Sequence, residues 1–290
     1  MTGPKEAVMP HERRPAPPTG FTAVHIALAT ATAGALKGRR LLGMLALMGL
    51  PMVIVALRAL LAEGGRGTGF ASFAFVVIHI YGTLLLPMSL IWMGTGAFGD
   101  EWAGGTAHYV AGVPLPRWSL VFGRWLATVR RALCFVLPAI VVVFFLCVLP
   151  YEGGVQEYAG DLGWVLVVLT LMCMAYSALF VCLGLLLKRA VIMSLCYVFA
   201  VEAAISNLPQ AFASLSMSFH GRNLLWQITG RDDFQPALMG DGGPFDAEPH
   251  SITVSVIAML IMVAMTLIIA TVALWKKECG GGAAGANEET

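Results

Sequence analysis

The sequence predicts an all-α membrane protein. It should have six transmembrane helices, an N-terminal interfacial helix, a cytoplasmic helix between spans two and three, and short extracytoplasmic helices between spans five and six. Three observations predict this. Of 290 residues, 58% are hydrophobic and 12% charged, against about 45–50% and about 25% in soluble domains, and the mean hydropathy is +0.79. The charged residues also avoid six windows: 41–61, 70–97, 132–150, 163–187, 190–208 and 251–275. Each has close to the ~20 residues needed to cross about 30 Å of hydrocarbon at ~1.5 Å per residue. Together they contain two formal charges, Arg58 and Glu202. Finally, Lys and Arg collect on one side: with the N-terminus inside, 14 of the 18 fall in inner segments. Because Lys and Arg mark the cytoplasmic face, both termini are expected in the cytoplasm, and the membrane is expected to be the cell's inner one. An ordinary soluble enzyme, a disordered chain and a fibrous chain are all excluded.

Residues 1–20 are polar, contain five prolines and have no apolar core, so they read as a disordered cytoplasmic tail rather than a signal peptide. In residues 21–36, Phe21, Val24, Leu28, Ala31 and Ala35 recur at helical spacing. This suits a helix in the inner interface, with a cytosolic extension of span one as the alternative. A single six-span domain is expected over residues 21–278, and the Gly/Ala-rich residues 279–290 form a second disordered tail. Spans four and five are joined by Lys188-Arg189 alone, which forces them to be antiparallel neighbours. Residues 209–250 form the long outer segment, read as short helices resting on the outer interface followed by an irregular Gly/Pro/Asp-rich loop. Five of the six cysteines lie in spans and no C-x-x-C occurs, so neither disulfide nor zinc site is expected.

The inner loop after span two carries the most information. Read as a helix from Glu101, it places Trp102, Thr106, Tyr109, Val110 and Val113 on one face, and Pro114 and Pro116 end it just before Arg117. A compact aromatic helix facing the cytoplasm suits a docking surface for a partner protein; a helix lying on the membrane is the plain alternative. Two intramembrane residues stand out. Glu202 carries a charge that costs about 2.5–3.5 kcal/mol at mid-bilayer, so it either lines a pathway or accepts hydrogen bonds from a neighbouring helix. His79 is either a packing histidine or a substrate or proton site.

This loop resembles that of the permease subunits of type-2 ATP-binding-cassette (ABC) transporters. Their hallmark is an acidic residue, Gly-Thr, Pro, a basic residue, and then Gly followed by Lys or Arg. Here these are Glu101, Gly105-Thr106, Pro114, Arg117 and Gly123-Arg124. The basic run 37–40, the six-span layout and the segment Glu202-Ala-Ala-Ile-Ser-Asn-Leu-Pro209 also resemble the family; His108 and Arg124 depart modestly from it. The resemblance implies that Glu101, Trp102, Gly105, Thr106, Tyr109, Pro114 and Arg117 belong to an ATPase-coupling helix. It also implies two copies of a cytoplasmic cassette ATPase that hold ATP and Mg, and a second permease chain, identical or related. This chain, with no G-x-x-x-x-G-K-[ST] stretch, is not expected to be an enzyme or to bind a cofactor itself; nor is nucleic acid an expected partner. The resemblance favours an exporter; a secondary transporter or channel without ATPase, and a non-transporting assembly subunit, are the alternatives.

Overall fold

The computed structural model describes residues 20–33, 39–61, 69–103, 115–149, 154–204, 216–234 and 251–284. Nine α-helices are described: α1 Phe21–Ala33, α2 Arg39–Leu61, α3 Phe70–Phe75, α4 Leu86–Ala103, α5 Arg117–Val148, α6 Gly154–Leu186, α7 Ala190–Tyr197, α8 Met217–Thr229 and α9 Ile252–Ala284. Two π-helical segments, Val76–Leu85 and Val198–Ala204, extend α3 into α4 and continue α7. Among the described residues there is no strand. Four helical stretches are long and apolar enough to cross a membrane: Phe70–Phe98, Arg117–Val148, Val155–Leu186 and Ile252–Lys276. Shorter apolar helices, Leu42–Leu57 and Ala190–Glu202, stand where the sequence predicts spans one and five.

Helix α6 is the centre of the bundle. Val165, Val168, Leu169, Met172, Cys173, Tyr176, Phe180 and Val181 are all buried along it, and α4, α5, α8 and α9 pack around it. The approach of α4 depends on small residues: a Cβ on Gly184 would stand 2.6 Å from the Thr95 carbonyl oxygen. Between apolar helices in lipid, close backbone approach of this kind replaces the hydrophobic drive that operates in water. Helix α9 closes one edge. Ser255, Met259, Val263, Thr266, Ala270 and Leu274 form its buried stripe, at spacings of three and four, while Ile257, Ile261, Met265 and Ile268 face outward.

The π-helical middle of span two has a local cause. Pro87 offers no N–H, so the helix cannot close the regular i→i−4 bond at that point. Leu86 N–H reaches the Tyr81 carbonyl, five residues back, and Thr83 Oγ1 donates to the Ile78 carbonyl at 3.0 Å. The widened turn leaves Tyr81 fully buried, with its hydroxyl donating 2.8 Å to the Met48 carbonyl of α2.

Helix α1 rests on α5 through Ala23, Val24 and Ala27, which are buried, while Phe21 is 87% exposed. Two expectations change. Helix α8 does not lie flat across an outer surface. It stands lengthwise against α6 and α9, since its polar N-terminus finds its partner deep in the bundle. Helix α9 runs on to Ala284, past the start of the tail read at 279. No proline stops it, and extending a formed helix through glycine costs only about 1 kcal/mol per residue.

Candidate functional site

Two places in the bundle hold the sequence-predicted residues. The first is the end where Lys and Arg collect, called the basic end below. Glu101 and Trp102 lie in the last turns of α4, a helix that starts at Leu86. Glu101 therefore does not open a helix, which corrects the reading of a separate helix from that residue: the span-two helix simply continues, with no proline between Met88 and Ala103. Gly105, Thr106, Tyr109 and Pro114 lie outside the described residues. Arg117 is the first residue of α5, and Pro116 stands at its N-cap with φ −58°.

The Gly-Arg pair that follows holds this end together. A Cβ on Gly123 would come 2.6 Å from the Ala27 Cβ, so glycine here lets α1 lie directly on α5. Arg124 Nη1 donates to the Ala97 carbonyl near the end of α4, and its guanidinium sits 4.5 Å over the Phe98 ring. A planar cation is suited to this double role, stacking through its face and donating through its edge. Ala23, Ala27, Phe98, Leu120, Val181 and Leu274 belong to one apolar cluster there. The two helices that flank residues 104–114 are thus joined to each other, to α1, and through Val181 and Leu274 to α6 and α9.

The second place is Glu202, which is fully buried. It lies twelve residues beyond Ala190, about 18 Å along the helix. Its carboxylate meets the N-terminus of α8. Oε1 accepts from Met217 N at 3.1 Å and from the Tyr197 hydroxyl at 3.3 Å. Oε2 accepts from Ser218 N at 3.0 Å and from Ser216 Oγ at 2.7 Å. Ser216 Oγ in turn accepts from Phe219 N at 3.3 Å, and the His220 N–H closes on the Ser216 carbonyl. The first N–H groups of α8, which have no partner within the helix, are all satisfied this way. A carboxylate there also meets the positive end of the helix dipole. Tyr176 of α6 and Arg222 of α8 lie beside the same charge.

At its other end α8 is pinned again. Arg231 Nε donates 2.6 Å to Asp161 Oδ2, and the guanidinium lies against the stacked pair Phe70 and Tyr158, 4.8 Å and 4.4 Å from their ring centres. Burial works to lower the Arg231 pKa. The hydrogen bond and charge of Asp161, with Tyr158 and Glu157, outweigh it and hold the group above its ordinary value. Asp161 and Tyr176 are fifteen residues apart on α6, about 22 Å, so α8 descends from one end of the bundle to its middle. Along the way His220 Nδ1 and Asn223 Nδ2 reach Ser255 Oγ of α9 at 3.3 and 2.9 Å.

A family model described as ABC-2 family transporter protein matches residues 35–203, more than half of the chain. The chain belongs to the ABC-2 transporter family. It is therefore a multi-pass membrane protein and the membrane component of an ABC transporter, and membership implies a partner ATPase. No curated protein matches the sequence. The family match takes in the Arg124–Ala97 and Phe98 contacts and Glu202, and it stops before α8.

Sequence reasoning thus placed the ABC-2 loop and picked out Glu202, but it did not bring Glu202 and His79 together. His79 is exposed; its Nδ1 lies 3.3 Å from the Phe75 carbonyl and its ring stacks on Phe75. The roles of Arg222, Arg231, Tyr176 and Ser216 escaped notice. The outer segment was read as containing short helices, and Ser216, a good N-cap residue before an aromatic stretch, marks where α8 begins.

Proposed function

We propose that this protein is the permease subunit of an ATP-driven exporter of the inner membrane, with both termini cytoplasmic and six spans. Two permease chains, identical or related, and two cassette ATPase copies complete it. The ATPase, holding ATP and Mg, docks on residues 101–117. The observation that carries this reading is Arg124, which ties α5 to the end of α4 across the very segment a docked ATPase would press. Closure of the ATPase pair on nucleotide tilts α4 and α5 together, because the Ala97 bond and the Phe98 stack prevent them from moving independently. In this reading Glu202 serves mainly to hold α8 upright in the bundle.

The test is coexpression with a neighbouring cassette ATPase. The two should copurify, and a photoreactive residue at Tyr109 should crosslink the ATPase. Vanadate, which traps such ATPases, should stop substrate movement. If the Tyr109 probe labels only lipid and no ATPase copurifies, the reading fails.

A further inference from the structure

Arg222 has a role that neither the family fold nor the Glu202 capping explains. It lies on α8, in the part of the bundle between Tyr176 and Asp161, and its Nε is buried with no hydrogen-bond partner. A guanidinium has five N–H donors in a rigid fork, and a buried donor left without a partner at membrane depth is costly, so such residues mark ligand pathways. Glu202 offsets part of the Arg222 charge, but the Nε makes no hydrogen bond to it.

The surroundings point to a ligand. Arg222 borders a small cavity of about 10 Å³, room for one water-sized group, whose polar margin is Thr83, Ser218 and Arg222. The opposite wall is the π-helical middle of span two, and π-segments recur where a helix is deformed to make a site. The remaining walls are aliphatic, among them Leu169 and Leu225. One fork of donors among apolar walls suits a compact anionic head attached to an apolar body.

We propose that Arg222 is an anion-recognition subsite for the transported cargo, taking the phosphate or carboxylate head of an amphiphile whose apolar part lies against span two. The subsite rests on the transporter reading above. In this conformation the cavity holds no more than one water-sized group, so α8 and span two must part to take in the head and the apolar body. The same chemistry occurs in exported amphiphiles and in anionic bilayer lipids.

The test needs no ATPase, so it succeeds or fails independently of the docking assignment. The full chain is placed in nanodiscs of phosphatidylcholine, and dodecyl phosphate, dodecyl maltoside or inorganic phosphate is added. Dodecyl phosphate should raise the thermal midpoint and dodecyl maltoside should not, and R222Q should weaken the dodecyl phosphate effect at least fivefold while R222K keeps most of it. Binding of inorganic phosphate that is lost in R222Q would support the site with the anion alone as ligand. If nanodiscs containing phosphatidylglycerol already show the R222-dependent gain, the source of the anion is the bilayer. In case R222Q does not fold, T83C with Arg222 intact reads the same place: dodecyl phosphate should slow its reaction with a thiol reagent, and dodecyl maltoside should not. Equal responses to the two detergents, or T83C labelling unchanged by dodecyl phosphate, would overturn the proposal.

Discussion

The Ser216 hydroxyl donates to Glu202 Oε2 across 2.7 Å, joining the span-five helix to the N-cap of α8. Both groups are fully buried, and neither would tolerate that environment alone, since an unpaired buried polar group costs about 1–3 kcal/mol. Together they turn a carboxylate that is expensive in a membrane into the cap of α8.

Substitution at Glu202 should therefore register first in stability. E202Q keeps the shape but puts an NH₂ against a backbone N–H, so one side of the cap becomes repulsive. Loss of a hydrogen bond to a charged group is worth about 1.5–3 kcal/mol, and the thermal midpoint of the purified protein should fall by several degrees. S216A should produce a smaller fall, about 1 kcal/mol, as other N-cap losses do. An unchanged midpoint in both variants would refute the capping role.

Arg124 should be needed for coupling more than for insertion. R124A removes both the Ala97 bond and the Phe98 stack. Membrane levels should stay near normal, whereas ATPase stimulation by the assembled permease should drop severalfold. R124K retains the charge but cannot stack and donate in one plane, so it should fall between the two. Full coupling in R124A would show that α4 and α5 are held together by other contacts.

At the α1–α5 crossing, G123A should destabilise by about 1–3 kcal/mol, the usual cost of overpacking. Its new Cβ would meet that of Ala27. A27G removes the obstructing atom, so the double variant should recover part of the loss. Thermal midpoints of the four proteins form a cycle, and strict additivity would mean that the two residues do not touch.

The far end of α8 can be tested at Arg231. R231A loses the Asp161 pair and two ring contacts, about 1–2 kcal/mol in all at this partly exposed site. R231K should recover less than half, because an ammonium lacks the planar group that lies against both Phe70 and Tyr158. The check is hydrogen exchange in α8, which should rise in R231A before the rest of the protein changes.

Much of this protein was legible from the residues in order. Charge-free windows announce membrane helices because a bilayer rejects charge wherever it occurs along the chain. The spacing of Glu101, Gly105-Thr106, Pro114, Arg117 and Gly123-Arg124 is likewise a local pattern, and it led to the family. Glu202 stood out for the same reason, as a charge in an apolar run. What it does there was not legible, since most of its partners come from residues 216–218 at the start of another helix.

Sequence alone thus determined the membrane class, the family and the identity of the unusual residues, because solvation cost and short-range motif spacing belong to the chain itself. The tertiary structure decided the rest. It turned α1 onto its small residues, because Gly123 opened a place for them; it stood α8 on end, because a buried carboxylate was waiting at the middle of the bundle; and it left Arg222 beside a cavity with an unsatisfied donor. Each of these depends on which distant groups meet, and a hydrogen bond or a close contact exists only once the fold has brought its two halves together.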